Sequence, residues 1–305
     1  IPFLVLIVLH ALVGYMELGV DSWMTKLMEN LLPNSILILV YTSLLMFILR
    51  FFAGPIVHKV NPIGLLFGSS VIACLGLLWL GSPNQTVFMI FAAATFYSFG
   101  KAFLWPTMLG VAGERYPQCG SVAMGALGAA GMLCVGQIAG PRIGTQQGFE
   151  MSRNLEQTAP DTFSRYASQD MTKSWGYEYR ALDAAKLNAA NGTELVDGTP
   201  KTTDAISSAE LIPKGEKKLL IKNAGTDFKA VQDSYLFGGR RALTLTSYIP
   251  AAMTVGFLGL LIYYRAIGGY KVIHLDGSEE SHEDAAGKPA VDGTGPEDTP
   301  AASEY

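Results

Sequence analysis

The sequence predicts an all-α membrane protein: six transmembrane helices carrying a small helical insertion. Half of the 305 residues are hydrophobic and 16% are charged, against roughly 25% charged in an ordinary soluble domain. Mean hydropathy is +0.28. The charge is also segregated, with ten Asp, Glu, Lys and Arg side chains in residues 1–144 and the other 38 in residues 145–305. Finally, stretches of about 20 apolar residues, enough to cross ~30 Å of hydrocarbon, occur six times.

The first stretch runs from Ile1 to about Val20 and continues amphipathically to Leu32. It is followed by Ile36 to Val57, Ile63 to Gly81, Val87 to Ala112 and Val122 to Gly140, with Leu243 to Ile267 far downstream. Breakers separate the first five: Leu32-Pro33-Asn34, Asn61-Pro62, Ser82-Pro83-Asn84, and Tyr116-Pro117 with Gly120. Such tight links make consecutive helices antiparallel neighbours. In lipid a helix satisfies its own backbone, so runs this continuous read as a helical bundle and not as barrel strands. The expected organisation is spans one to five in residues 1–144, an extracytoplasmic insertion in 145–240, the sixth span in 241–268 and a cytoplasmic tail in 269–305.

That orientation follows from the basic links after spans two, four and six (His58, Lys59, Arg115, Arg265, Lys271), which the positive-inside rule places in the cytoplasm. Because the chain opens on Ile1 with no charged n-region, span one reads as a true span in an incomplete or processed chain, with sequence expected upstream, and not as a signal peptide. In the fifth span Gly125, Gly128 and Gly131 recur every three residues, and Gly136, Gly140 and Gly144 every four. Small residues at these spacings let helix backbones approach closely; a glycine-lined pathway or hinge is the other reading. Within the insertion, Gly176–Asn191 and Asp227–Leu236 read as helices of a cap whose aromatics have apolar surface to bury. The acidic tail beyond Tyr270 lacks apolar periodicity and reads as disordered.

Several motifs in this frame resemble the C-terminal half of a major facilitator superfamily transporter. Arg50-Phe-Phe-Ala-Gly54-Pro-Ile-Val-His58-Lys59 looks like the degenerate second copy of that family's cytoplasmic loop motif, with His58 standing where the family has an acid. Glu114-Arg115-Tyr116-Pro117 resembles the link before the fifth helix of such a half. Glu17-Leu-Gly19-Val-Asp21-Ser-Trp23 and Arg265-Ala-Ile-Gly-Gly-Tyr270-Lys271 look like a bacterial subgroup with a large outer insertion before the last helix. The resemblance covers residues 1 to about 144 and 227 to 273. It implies a bacterial plasma-membrane protein in which two six-helix bundles rock about a central solute site, this chain supplying one bundle and an N-terminal bundle the other.

Ionisable residues inside a bilayer are costly and call for a functional explanation. His10, Glu17 and Asp21 share one face of span one, at depths of roughly 14, 24 and 30 Å from a cytoplasmic edge at Ile1. Tyr97, Lys101 and Trp105 follow i, i+4 spacing on span four, with Lys101 at the level of His10. These six residues are the candidate solute or coupling pathway. Some of these polar residues have a blander reading too: Asp21, Lys26 and Glu17 as interfacial charges, Arg50 as a snorkelling cation near the cytoplasmic end of span two, and Trp105-Pro106 as a kink. The expected ion pair is Lys101 with Glu17, His10 being a second titratable group.

Other chemistries find little support in the sequence. A net charge of −4 without a cationic stripe argues against a nucleic-acid partner. Cys74, Cys119 and Cys134 lack metal-site spacing, and the vertical spread of His10, Glu17 and Asp21 argues against a metal centre. With no HExxH, no GxSxG and no GK[ST] loop, neither an enzyme nor a cofactor is expected. The expected function is secondary active transport of a small polar solute of the sugar or nucleoside class, coupled to protons or another ion. A non-transporting receptor or scaffold with a ligand-binding insertion is the alternative.

Overall fold

The computed structural model describes residues 2–28, 34–52, 60–83, 85–191, 195–196, 199–200, 206 and 210–281. The chain is mostly helical and has the build of a membrane-embedded bundle. Helices α1 (Pro2–Leu27), α3 (Pro62–Leu80), α4 (Val87–Arg115) and α5 (Pro117–Thr158) are each long and apolar enough to cross a membrane. So is the unit formed by α8 (Lys214–Thr246) and α9 (Tyr248–Ala266), which meet at Ser247. Among the described residues five spans therefore meet the length criterion where six were expected; α2 (Ile36–Phe51) is apolar but shorter.

Local chemistry sets the helix ends. The Asn61 side chain accepts from the amides of Ile63 and Gly64, and Pro62 occupies the first helical position, where a missing N–H costs nothing. The Thr86 side chain accepts from the Met89 amide to open α4. The bundle is apolar on both sides of its wall. Leu6, Val13, Leu66, Leu77, Val111 and Phe257 are fully buried in the core, whereas Leu4, Phe47, Phe88 and Val255 are 66%, 66%, 81% and 71% exposed. An outward-facing apolar belt of this kind suits hydrocarbon and not water.

Outside the bundle the structure departs from the sequence reading. Helix α5 does not stop at Gly140 but runs on to Thr158, and α8 rises antiparallel to it, so continuous helix crosses both expected domain boundaries, 144 and 240. Two small elements pack on this helical pair, α6 (Pro160–Tyr166) and the hairpin of β1 (Ala167–Ser174) with β2 (Tyr177–Leu182). The stretch from Gly176 therefore begins as strand and not as helix. Trp175 and Gly176 both take positive φ in a two-residue hairpin turn, and Tyr177 and Tyr179 pack on Phe149 of α5. Helix α7 (Ala184–Asn191) starts later, where Asp183 Oδ1 accepts from the amides of Ala185 and Lys186. Two short strands, β3 (Leu195–Val196) and β4 (Thr199–Pro200), pair beyond it. After Tyr270, where disorder was expected, β5 (Lys271–Ile273) pairs with β6 (Glu279–Ser281); the rest of the acidic tail lies outside the described residues.

This polar unit has its own core, which includes Met151, Leu155, Phe163, Tyr166, Leu220 and Val231. A buried carboxylate ties it together: Asp227 of α8 accepts from Thr162 at 2.8 Å and from Arg165 Nε at 2.7 Å, and it forms a second bond with the same guanidinium. Burial, with the Asp227 charge beside it, pushes the Tyr166 phenol up to about 12. The neutral phenol is thus the native form, and its contribution to stability, complete below pH ~10, is lost as pH rises through 12. Phenolate absorption and proteolysis of the polar unit should consequently rise together between pH ~10 and 12.

Candidate functional site: a four-charge cluster among α1, α2 and α4

At Tyr15–Gly19 the hydrogen-bond pattern of α1 loosens into one π-helical turn. The Val20 amide bonds the carbonyls of Tyr15 and Glu17, displaced from Met16, and the Tyr97 hydroxyl donates to Met16 O at 2.7 Å. A π turn inserts extra backbone into a helix and recurs at functional positions. Here it carries Glu17, which is 2% exposed.

Helix α4 is interrupted in its middle, between Lys101 and Leu104. Pro106 explains the gap in part, since it has no N–H for the carbonyl four residues back, that of Ala102. The Arg50 Nε of α2 donates to this Ala102 oxygen at 2.8 Å. The same guanidinium reaches Glu17 Oε1 at 2.5 Å through its Nη2. Arg50, its side chain 35% exposed, therefore joins the interruption of α4 to the π turn of α1.

Lys101 is fully buried, and its Nζ donates to both carboxylate oxygens of Asp21 at 2.6 Å. It also lies 5.1 Å from the centroid of the Tyr97 ring, which adds a cation–π contact. The expected Lys101–Glu17 pair is thus replaced by two pairs, Lys101–Asp21 and Arg50–Glu17. The Asp21 side chain is 13% exposed. Two acids one helical turn apart on α1 face two bases from neighbouring helices, and the cluster is formally neutral. Among the described residues Glu17 Oε2 nevertheless has no hydrogen-bond partner. On its far side Arg50 lines a cavity of about 180 Å³ bounded by Pro106, Thr107 and Glu114.

The other candidates lie around this cluster without joining its hydrogen bonds. His10 is buried, neither ring nitrogen has a partner among the described residues, and its ring meets Trp105 edge-on at 4.5 Å between centroids. Gly131 sits against that pair: a Cβ there would come within 2.9 Å of Trp105 and 3.2 Å of His10. Gly144 packs on Trp23 and Gly140 approaches it less closely, whereas Gly125, Gly128 and Gly136 have nothing within 4 Å of an added Cβ. Only half of the glycine series is therefore used for contact within the bundle. In the loop motif, Gly54, His58 and Lys59 fall outside the described residues.

Sequence reasoning missed two close helix contacts that shape the site. Gly14 of α1 meets Gly131 of α5, and Gly19, at the end of the π turn, meets Ala139, which closes a second π turn at Val135–Ala139. The signal was present in the paired small residues on the two helices. Among the described residues no three His, Cys, Asp or Glu side chains gather as a metal site. Compared with known proteins, the chain matches no family model, no curated protein and no solved structure.

Proposed function

We propose that the chain is a secondary active transporter of the major facilitator type, a six-span bundle that moves a small polar solute of the sugar or nucleoside class by alternating access. The observation that carries this reading is the four-charge cluster, with Glu17 and Lys101 buried, set where two membrane-length helices lose regularity. Ionisable groups persist at such depth where they line a pathway, and interrupted helices supply backbone that can rearrange. Helix α2 counts as the sixth span because its apolar sequence continues to Val57. The glycines of α5 with open space before them suit close approach by a second, N-terminal bundle.

In this mechanism each ion pair is a switch with two partners. A proton arriving on Glu17 removes the charge that holds Arg50, leaving the guanidinium on the Ala102 carbonyl alone. Solute hydroxyls compete with Asp21 for the Lys101 ammonium, which donates three hydrogen bonds and accepts none. Breaking either pair frees the helix segment it pins. The polar unit, on the extracytoplasmic side in this topology, caps the bundle.

The test is uptake of labelled sugars and nucleosides by protein reconstituted in proteoliposomes with an imposed proton gradient. Wild type should accumulate at least one of them, and Glu17→Gln should flatten the pH dependence while sparing solute exchange. Uptake no faster than in protein-free liposomes across the panel would sink the transport reading. Solute binding without uptake would favour a receptor, a reading supported by the separate core of the polar unit.

A further inference from the structure

Away from the charge cluster, a cavity of about 740 Å³ opens where the α5–α8 pair leaves the bundle. One wall is a stripe of α5 at helical spacing, Glu150, Arg153, Asn154 and Gln157; the facing wall is a stripe of α8 that includes Asp233, Phe237, Arg240 and Arg241. The floor is Leu78 with the Gly81–Pro83 turn that joins α3 to α4.

Three observations define what this cavity can hold. The first is unpaired cationic capacity: among the described residues the Arg153 side chain has no ion pair or hydrogen bond, and the buried Arg240 Nε has no partner. Arg241 reaches Glu150 only at 3.9 Å. The second is position. Trp79 and Tyr248, 42% and 68% exposed, stand at the same end of the bundle, as aromatics do at a membrane–water boundary. The third is an apolar flank, with Leu78 and Phe237 each 42% exposed on the cavity wall.

We infer that this cavity binds the headgroup of a zwitterionic amine phospholipid. The Arg153 and Arg240 forks take the phosphodiester oxygens, a geometry that guanidinium matches in bidentate fashion. Glu150 and Asp233 face the headgroup ammonium, and Leu78 with Phe237 lie along the first carbons of the acyl chains. Nothing in the site requires the transport reading; it rests on the bundle being in a membrane.

Native mass spectrometry of the full chain released from nanodiscs of equal parts phosphatidylethanolamine and phosphatidylglycerol tests the inference. Wild type should retain phosphatidylethanolamine, and R153Q/R240Q should retain it at least tenfold less. E150Q/D233N should still retain phospholipid but lose the preference for the amine headgroup. Melting in detergent separates the sources of phosphate, since added phosphatidylethanolamine should raise the midpoint of wild type and inorganic phosphate should not. Equal retention by R153Q/R240Q, an unchanged headgroup preference in E150Q/D233N, or protection by inorganic phosphate alone would overturn the assignment. Because these residues lie outside the charge cluster, such a failure would leave uptake by wild type unaffected, and a failure of uptake would leave lipid retention unaffected.

Discussion

Lys101→Met should abolish coupled uptake and lower bundle stability by about 3–5 kcal/mol, the usual consequence of removing one partner of a buried ion pair. The Lys101 side chain is fully buried and both of its short bonds go to Asp21, which would be left facing Tyr97 and Glu17 without a counter-charge. A structural and a functional role separate in the double variant Lys101→Met with Asp21→Leu. Replacing both charges by apolar groups removes the unpaired carboxylate, so most of the lost stability should return, whereas transport should not. Thermal melting in detergent and proteoliposome uptake, measured on the same preparations, give the two readouts. Recovery of uptake together with stability would make the pair a structural bolt and place the pathway elsewhere.

The apolar layer of this molecule was readable because the hydrophobic effect acts on composition, which a sequence displays directly. The breakers at Asn61-Pro62 and Ser82-Pro83 fall where helices end, and Lys101 and Glu17 stood out as ionisable groups in apolar runs. Their pairing was not readable, because depth arithmetic with a fixed 1.5 Å rise assumes straight, regular helices. The π turn at Tyr15–Gly19 and the interruption after Lys101 break that assumption at the positions that matter. Arg50 illustrates the same limit: its partner at Ala102 is exposed by Pro106 on another helix, a tertiary consequence of a local rule.

The polar half was misread for a different reason. Beyond Gly140 the helix α5 buries Gln146, Gln147 and Glu150 against α8, so its inner face is not apolar enough to stand out. Ile143, Gln147, Met151 and Leu155, four residues apart and all buried, were the available signal. In the hairpin, the alanines after Tyr179 suggested helix, but Tyr177 and Tyr179 alternate toward Phe149 and prevail through tertiary packing.

Gly14→Ala should destabilise the bundle by about 2–3 kcal/mol and reduce transport with it, although it adds only one methyl group. The new Cβ would lie 2.5 Å from the carbonyl oxygen of Gly131 and 2.8 Å from its Cα. These are backbone atoms with no rotamer to move aside, so α1 and α5 must separate, and overpacking on this scale costs about 1–3 kcal/mol. A gap of 0.5–1 Å along the remaining contact forfeits roughly a quarter to a half of each dispersion well. The loss matters more here than in water, because packing between membrane helices has no hydrophobic term to fall back on. Separation would also shift the π turn that begins at Tyr15, and with it the reach of Glu17 to Arg50. Gly68→Ala and Gly128→Ala are the matched controls, as neither added Cβ meets anything within 4 Å; both should be neutral or slightly stabilising, since alanine favours helix over glycine. Melting midpoints of the three variants in one detergent decide the matter. Equal midpoints would mean that α1 and α5 do not touch at Gly14 in the membrane.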